Sequence, residues 1–261
     1  MDNSSDIKLV HLIGILLTDG GVSRLTKNLY ETYITNNSEV LLKLFKECIS
    51  KLFGHQKFYE YESKTVSKVK VVSNYIANFL FSLSLSYRTR PCDTYPRCRK
   101  SEDHISCKSC KPENGYPPVR IPQFILKGKD KIKKEFLKVV FSAEGCVEFY
   151  ENRYKSKNKV GLQRRVSLSC YNPHLLKQYS EILRSLGFKI SITKTEIRIG
   201  EKNQLMKFKK EIGFLNNIYV SRKSKYWNGY DKKELLELVL SSYLNTKSQT
   251  KAVIAGSFRN M

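Results

Sequence analysis

The sequence predicts an α+β protein made of two pseudo-symmetric αββαββα units, each a four-stranded antiparallel saddle-shaped sheet backed by helices. Three observations lead there. First, two segments read alike, Leu12-Ile13-Gly14-Ile15-Leu16-Leu17-Thr18-Asp19-Gly20 and Leu137-Lys138-Val139-Val140-Phe141-Ser142-Ala143-Glu144-Gly145; each is a mostly apolar helical stretch that ends in one carboxylate followed by glycine. Second, the order of helical and alternating patterns after the first segment recurs after the second. Third, the chain of 261 residues carries a net charge of +23, from 47 Lys and Arg against 24 Asp and Glu, spread over its whole length.

The first unit is placed at 1–86. Segment 8–19 is apolar on nearly every face and reads as a buried helix, ended by Gly20-Gly21. Val22 to Thr35 reads as a hairpin broken at Lys27-Asn28. Asn37 or Ser38 caps a helix over about 39–53, with Leu41, Leu44, Phe45, Cys48, Ile49 and Leu52 at helical spacing. Lys57 to Tyr61 and Thr65 to Val72 read as two strands, and Asn74 to Leu83 as a closing helix.

The second unit, 127–261, repeats the order. Lys131 to Glu144 is the helix; Cys146 to Tyr154 and Val160 to Tyr171 are strands. Asn172-Pro173 starts a helix through Leu186, with proline where a first helical turn tolerates it. Lys189 to Thr193 and Glu196 to Ile199 form a second hairpin, and Asn203 to Ile212 another helix. A last helix, Lys232 to Leu244, trails the unit. Between the units, 87–126 is an irregular insert rich in proline and cysteine.

Apolar residues make up 41 % of the chain, enough to bury a core. No apolar run reaches the roughly 18 residues of a membrane span, and Met1 to Asp6 lacks the basic start of a secretory signal. These features predict an intracellular, cytoplasmic protein with no membrane partner. A positive charge of this size destabilises a compact state unless a polyanion relieves it, and nucleic acid is the commonest such partner.

If the two units lie side by side about a pseudo-twofold axis, their first helices pack through Gly14 and Thr18 against Val139 and Ala143. Asp19 and Glu144 then meet at one end. Two adjacent carboxylates repel, and a divalent cation removes that cost; oxygen ligands beside phosphate suit magnesium or manganese. A β-ribbon fits the major groove. The candidate DNA readers are Ser23, Arg24, Lys27, Asn28, Glu31, Thr32, Lys64, Lys68, Lys70, Arg153, Lys155, Lys157, Gln163, Arg164, Arg165, Lys194 and Arg198. Each taken alone also reads as part of a solvated strand face.

The two acid–glycine segments resemble the signature of the LAGLIDADG homing endonucleases, and the duplicated αββαββα order agrees with a single-chain, two-motif member. The resemblance implies that Asp19 and Glu144 bind metal, with the backbone of Gly20 and Gly145 beside them. Leu17 and Ser142 stand where the family has an inner acid that is not a ligand, and Val139 stands where it has a helix-contact glycine. A basic group after the last hairpin's helix is typical of the family. It points to Lys223, then Lys225 and Arg222, with Arg88 or Arg90 as first-unit counterparts. Polar groups ahead of the second helix of each unit, Asn36 and Tyr171 or Asn37 and Asn172, could line a water pocket. Asn37 and Asn172 read rather as helix caps.

In the insert, Cys92, Cys98, Cys107 and Cys110 are spaced C-x5-C, then C-x2-C. Structural zinc, paired disulfides and free thiols all fit that spacing; His104 could replace one ligand. Cys48, Cys146 and Cys170 fall on apolar positions and read as core. His11, His55, His174 and Trp227 show no partner pattern.

The reading is therefore a monomeric, site-specific double-strand DNA endonuclease that uses magnesium or manganese. The lack of an opening nucleophile suggests an intron-encoded reading frame, not an intein. The rivals are an intron RNA maturase on the same fold, a DNA-binding regulator without cleavage, and a zinc-ribbon binder whose function lies in the insert.

Overall fold

The computed structural model describes residues 3–63, 66–87, 89, 119–154, 159–221, 224 and 226–244. The expected insert cysteines, Arg88, Arg90, Lys64, Lys155, Lys157, Arg222, Lys223 and Lys225 lie outside the described residues.

The first unit runs α1 (Asn3–Leu16), β1 (Gly20–Thr26), β2 (Leu29–Asn36), α2 (Glu39–Phe53), β3 (Phe58–Glu62), β4 (Ser67–Val72) and α3 (Asn74–Leu83). A short helix α4 (Gln123–Leu126), inside the stretch expected to be irregular, leads to the second unit. That unit runs α5 (Asp130–Glu144), β5 (Gly145–Tyr154), β6 (Lys159–Ser169), α6 (Pro173–Ser185), β7 (Ser191–Ile192), β8 (Glu196–Ile199) and α7 (Lys202–Glu211), and α8 (Lys232–Ser241) follows it. Each unit holds one four-stranded sheet with antiparallel pairs, in the orders β1-β2-β4-β3 and β5-β6-β8-β7. The α+β duplication read from the sequence is the observed architecture.

Each sheet has one face on the helices and one open face, because successive strand residues point to opposite sides. In the first sheet Thr32, Ile34, Val69 and Val71 are buried. Glu31, Tyr33, Tyr59, Tyr61, Lys68 and Lys70 alternate with them on the open face. In the second sheet Val147, Phe149, Val166, Leu168, Ile197 and Ile199 are buried. Glu148, Tyr150, Gln163, Arg165 and Arg198 take the other parity.

The helix pair α1 and α5 joins the units. A β-carbon on Gly14 would lie 3.1 Å from Val139 Cβ and 3.1 Å from its Cγ1. Glycine on one side and valine on the other therefore fill the seam as hole and knob. His11 Nε2 sits 2.9 Å from Glu135 Oε2 across the same seam. Among the described residues no helix is long and apolar enough to cross a membrane.

Candidate active site

Helix α1 ends at Leu16, earlier than the sequence suggested, and Leu17 to Asp19 form a turn. Thr18 helps break the helix. Its hydroxyl donates back to the carbonyls of Gly14 (2.9 Å) and Ile15 (3.1 Å), a side-chain bond that competes with the helical ladder. Asp19 is thus delivered at the mouth of β1. Its carbonyl accepts from Thr35 N at 2.9 Å, and its Oδ2 accepts from Asn36 Nδ2 at 2.7 Å. Asn36 Oδ1 in turn accepts from Ser38 N at 2.6 Å, so the amide that orients Asp19 is itself held. Ser38, not Asn37, is the N-cap residue of α2.

The matched end differs in detail. Helix α5 continues through Glu144, which is exposed, and Gly145 opens β5 directly. Both glycines are dictated by close approach. A β-carbon on Gly20 would lie 2.7 Å from the Tyr33 carbonyl oxygen, and one on Gly145 would lie 2.5 Å from that of Phe141. That explains why each acid is followed by glycine: the chain must turn from helix into strand with backbone pressed on backbone. Asn172 caps α6, accepting from His174 N (3.0 Å) and Leu175 N (3.3 Å), whereas Tyr171 is exposed.

Lys232, the first residue of α8, lies buried beneath these acid tips. Its Nζ donates to the carbonyls of Ser142 (2.8 Å) and Gly145 (2.7 Å) at the C-terminal end of α5. A cation there meets the negative end of the helix dipole. Burial lowers its pKa to about 8, while the charges of Cys146, Asp19 and Glu144 act in the opposite direction. Sequence reading passed over Lys232. The available signal was its register: Leu235, Leu236 and Val239 are the buried stripe of α8, and Lys232 stands one turn earlier on that stripe.

Ser142, where the resemblance places an inner acid, is buried; its hydroxyl donates to Lys138 O at 2.7 Å and accepts from Leu215 N at 2.8 Å. Cys48 is buried, Cys170 half-buried and Cys146 exposed, so the last is not the core residue its apolar position suggested. Trp227 is also part of the core. It stacks on Phe149, and its Nε1 donates to the Phe149 carbonyl at 2.5 Å.

The expected readers divide by strand parity. Glu31, Lys68, Lys70, Gln163, Arg165 and Arg198 share the open faces, and Ser23 joins them through a 3.2 Å bond to Glu31. Thr32 does not: it is fully buried against the helices. Arg164 does not either. Its Nε donates to Ser242 Oγ at 2.7 Å and its Nη2 to the Ser242 carbonyl at 2.9 Å, and its guanidinium lies over the Tyr243 ring at 4.6 Å. It ties β6 to the end of α8. Arg24 bonds the turn carbonyls of Thr26 and Lys27. Lys27 and Asn28 are exposed in that turn, and Lys194 lies in the exposed turn between β7 and β8. Arg153 belongs to β5.

Residues 131–243 match the family model described as a LAGLIDADG-like domain. Those residues carry a LAGLIDADG-like domain. The match begins in α5 and ends just beyond α8, so it takes in Glu144 and Lys232. Solved meganuclease structures share the architecture over most of the chain. A point variant of I-SmaMI is 12 % identical over 97 % of this chain and 98 % of its own, with a TM-score of 0.57. The meganuclease I-SmaMI bound to uncleavable DNA is 10 % identical over 97 % and 96 %, with a TM-score of 0.55. A variant of I-DmoI, solved with its target DNA in the presence of manganese, is 18 % identical over 81 % and 96 %, with a TM-score of 0.52. At these identities the likeness establishes the fold. No curated protein matches the chain.

The donor set at the acid tips fits a hard divalent cation. It offers carboxylate and backbone carbonyl oxygens, and one lone pair of the Gly145 carbonyl already accepts from Lys232. Among the described residues no three His, Cys, Asp or Glu side chains gather into a closed metal cage. A site of one or two carboxylates, completed by water and substrate phosphate, is the usual arrangement for magnesium.

Proposed function

We propose that this protein is a LAGLIDADG-type, site-specific double-strand DNA endonuclease, with Asp19 and Glu144 as the metal-binding acids. One observation carries the reading. Asp19, in the turn after α1, and Glu144, at the end of α5, stand at matched places on a packed helix pair, each followed by a glycine pressed on backbone where the strand begins. One chain supplies both acids, which supports a monomer as the working form.

The residues divide the work as follows. Asp19 is oriented by Asn36. Glu144 stands exposed at the opposite tip, where phosphate can approach. Magnesium or manganese, when bound there, would lower the pKa of a water and stabilise charge on the phosphate being displaced. Lys232 holds the α5–β5 corner and offsets part of the negative charge of the two carboxylates. Lys223, Lys225 and Arg88 are proposed as the outer basic groups, and Gly20 and Gly145 as backbone neighbours of the cation. The open faces supply phosphate contacts and base readout along the duplex. The DNA and manganese of the I-SmaMI and I-DmoI structures support this assignment by analogy of fold. The family resemblance further implies staggered cuts across the minor groove.

The test is selection of cleavable sites from a randomised duplex library with Mg²⁺, repeated with Ca²⁺ and with Asp19→Asn and Glu144→Gln. The expected result is cutting by the natural protein with Mg²⁺, and binding without double-strand cutting by each variant. Binding without cutting by the natural protein under Mg²⁺ would move the assignment to a maturase or a regulator.

A further inference from the structure

The open face of the first sheet carries a polar cluster unlike a row of solvated lysines. Glu31 is buried at 7 % exposure although it lies on this face. Its Oε1 accepts from Lys68 Nζ at 2.8 Å and from Ser23 Oγ at 3.2 Å, and its Oε2 accepts from Lys70 Nζ at 2.9 Å. Each ammonium is also held on a second side. Lys68 Nζ lies 4.4 Å from the centroid of the Tyr33 ring, and Lys70 Nζ lies 5.3 Å from that of Tyr61. Burial raises the Glu31 pKa, but the bonds from the two lysines outweigh it and hold the carboxyl below its ordinary range.

The cluster decides between two roles for a lysine on DNA. A phosphate contact needs a mobile charge, and an added carboxylate only weakens it. A base contact needs an ammonium whose position is fixed before the duplex arrives, because lysine otherwise loses about 2 kcal/mol of rotamer entropy on binding. Glu31 leaves the trio with one net positive charge while fixing both ammoniums. With three donors already on it, the carboxylate is poorly placed to accept from a cytosine amine.

We propose that Lys68 and Lys70 read guanines in the half-site covered by the first unit, and that Glu31 is the positioning residue that makes them selective. This rests on the endonuclease reading above. Each ammonium keeps N–H groups that the carboxylate does not use, and guanine offers O6 and N7 as paired acceptors in the major groove. Lys68 and Lys70 stand two residues apart on β4, a spacing of about 6.6 Å on a strand. Base pairs rise about 3.4 Å. A strand laid along the groove therefore sets the two lysines two base steps apart. The selected half-site contains two guanine contacts separated by one base pair.

The test compares sites selected by the natural protein with those selected by Lys68→Met, Lys70→Met and Glu31→Gln, all as full chains, with affinity measured against salt. The expected result is loss of guanine preference, on the order of tenfold, at one position for Lys68→Met. The position two steps away loses it for Lys70→Met. Glu31→Gln relaxes both positions while binding to random DNA tightens. Uniform weakening on all sequences by both lysine variants, with a salt slope lower by about one and unchanged base preferences, would make them phosphate contacts and overturn the inference. A natural site without the two spaced guanines would overturn it while leaving the endonuclease intact. Failure of the natural protein to select any DNA would overturn both.

Discussion

The Lys232 ammonium donates to the Gly145 carbonyl at 2.7 Å, one residue past the acid at the tip of α5. It thus joins the last helix to the corner that presents Glu144. Lys232→Met keeps the volume but leaves two buried carbonyls without their donor. The expected cost is about 1–3 kcal/mol for each group left unpaired, read as a lower urea midpoint with an unchanged slope. Cleavage should fall further than the lost stability explains, since Glu144 loses its support. Full activity in a folded Lys232→Met protein would remove this residue from the site.

The seam between the units carries an acid-sensitive bond. The bond from His11, opposed by partial burial and aided by Lys138, holds the Glu135 carboxyl down at about 2, against an ordinary 4.5. A depressed carboxylate contributes stability that is complete above the unfolded value. That stability is lost as pH falls from about 4.5 toward 2. Glu135→Gln should therefore lower stability at neutral pH and flatten the acid limb of the unfolding curve. Parallel acid limbs for the two proteins would contradict it.

Arg164 and Arg165 are neighbours with opposite duties. Arg164→Ala should loosen α8, costing about 1–3 kcal/mol through its bonds to Ser242, with no change in the selected DNA site. Arg165, paired with Glu148 on the open face at 2.6 Å, should behave the other way. Its alanine variant should keep most of the stability and alter base preference. Thermal unfolding and site selection on the same two variants separate these outcomes.

Gly14→Val should crowd Val139, which is fully buried and cannot swing aside. Overpacking of this kind costs about 1–3 kcal/mol. Val139→Gly in the same chain should recover much of it, and a double-mutant cycle reads the coupling. Additive effects would mean the two residues do not share the seam.

Much of this was legible in the sequence. The helix over Asn74–Leu83 carries its apolar residues at helical spacing, and Ser73 caps it; both units show the expected order. The acid–glycine pairs announced both tips, because only glycine fits where helix turns into strand. Strand parity was read less well. Glu31 with Thr32, and Arg164 with Arg165, were grouped as readers although neighbours on a strand point to opposite faces. Lys232 was hidden for a different reason. A lysine on an apolar stripe looks like a boundary residue until a distant pair of carbonyls, here at the end of α5, is seen to receive it. The long-range bond between Arg164 and Ser242 has no local sequence signature at all.

Because glycine opposes valine where the two leading helices cross, the halves are complementary and not interchangeable. Two copies of the N-terminal half would set glycine against glycine and bring the helices closer than they lie here; two copies of the C-terminal half would drive valine into valine. The seam thus matches each half to the other better than to a copy of itself.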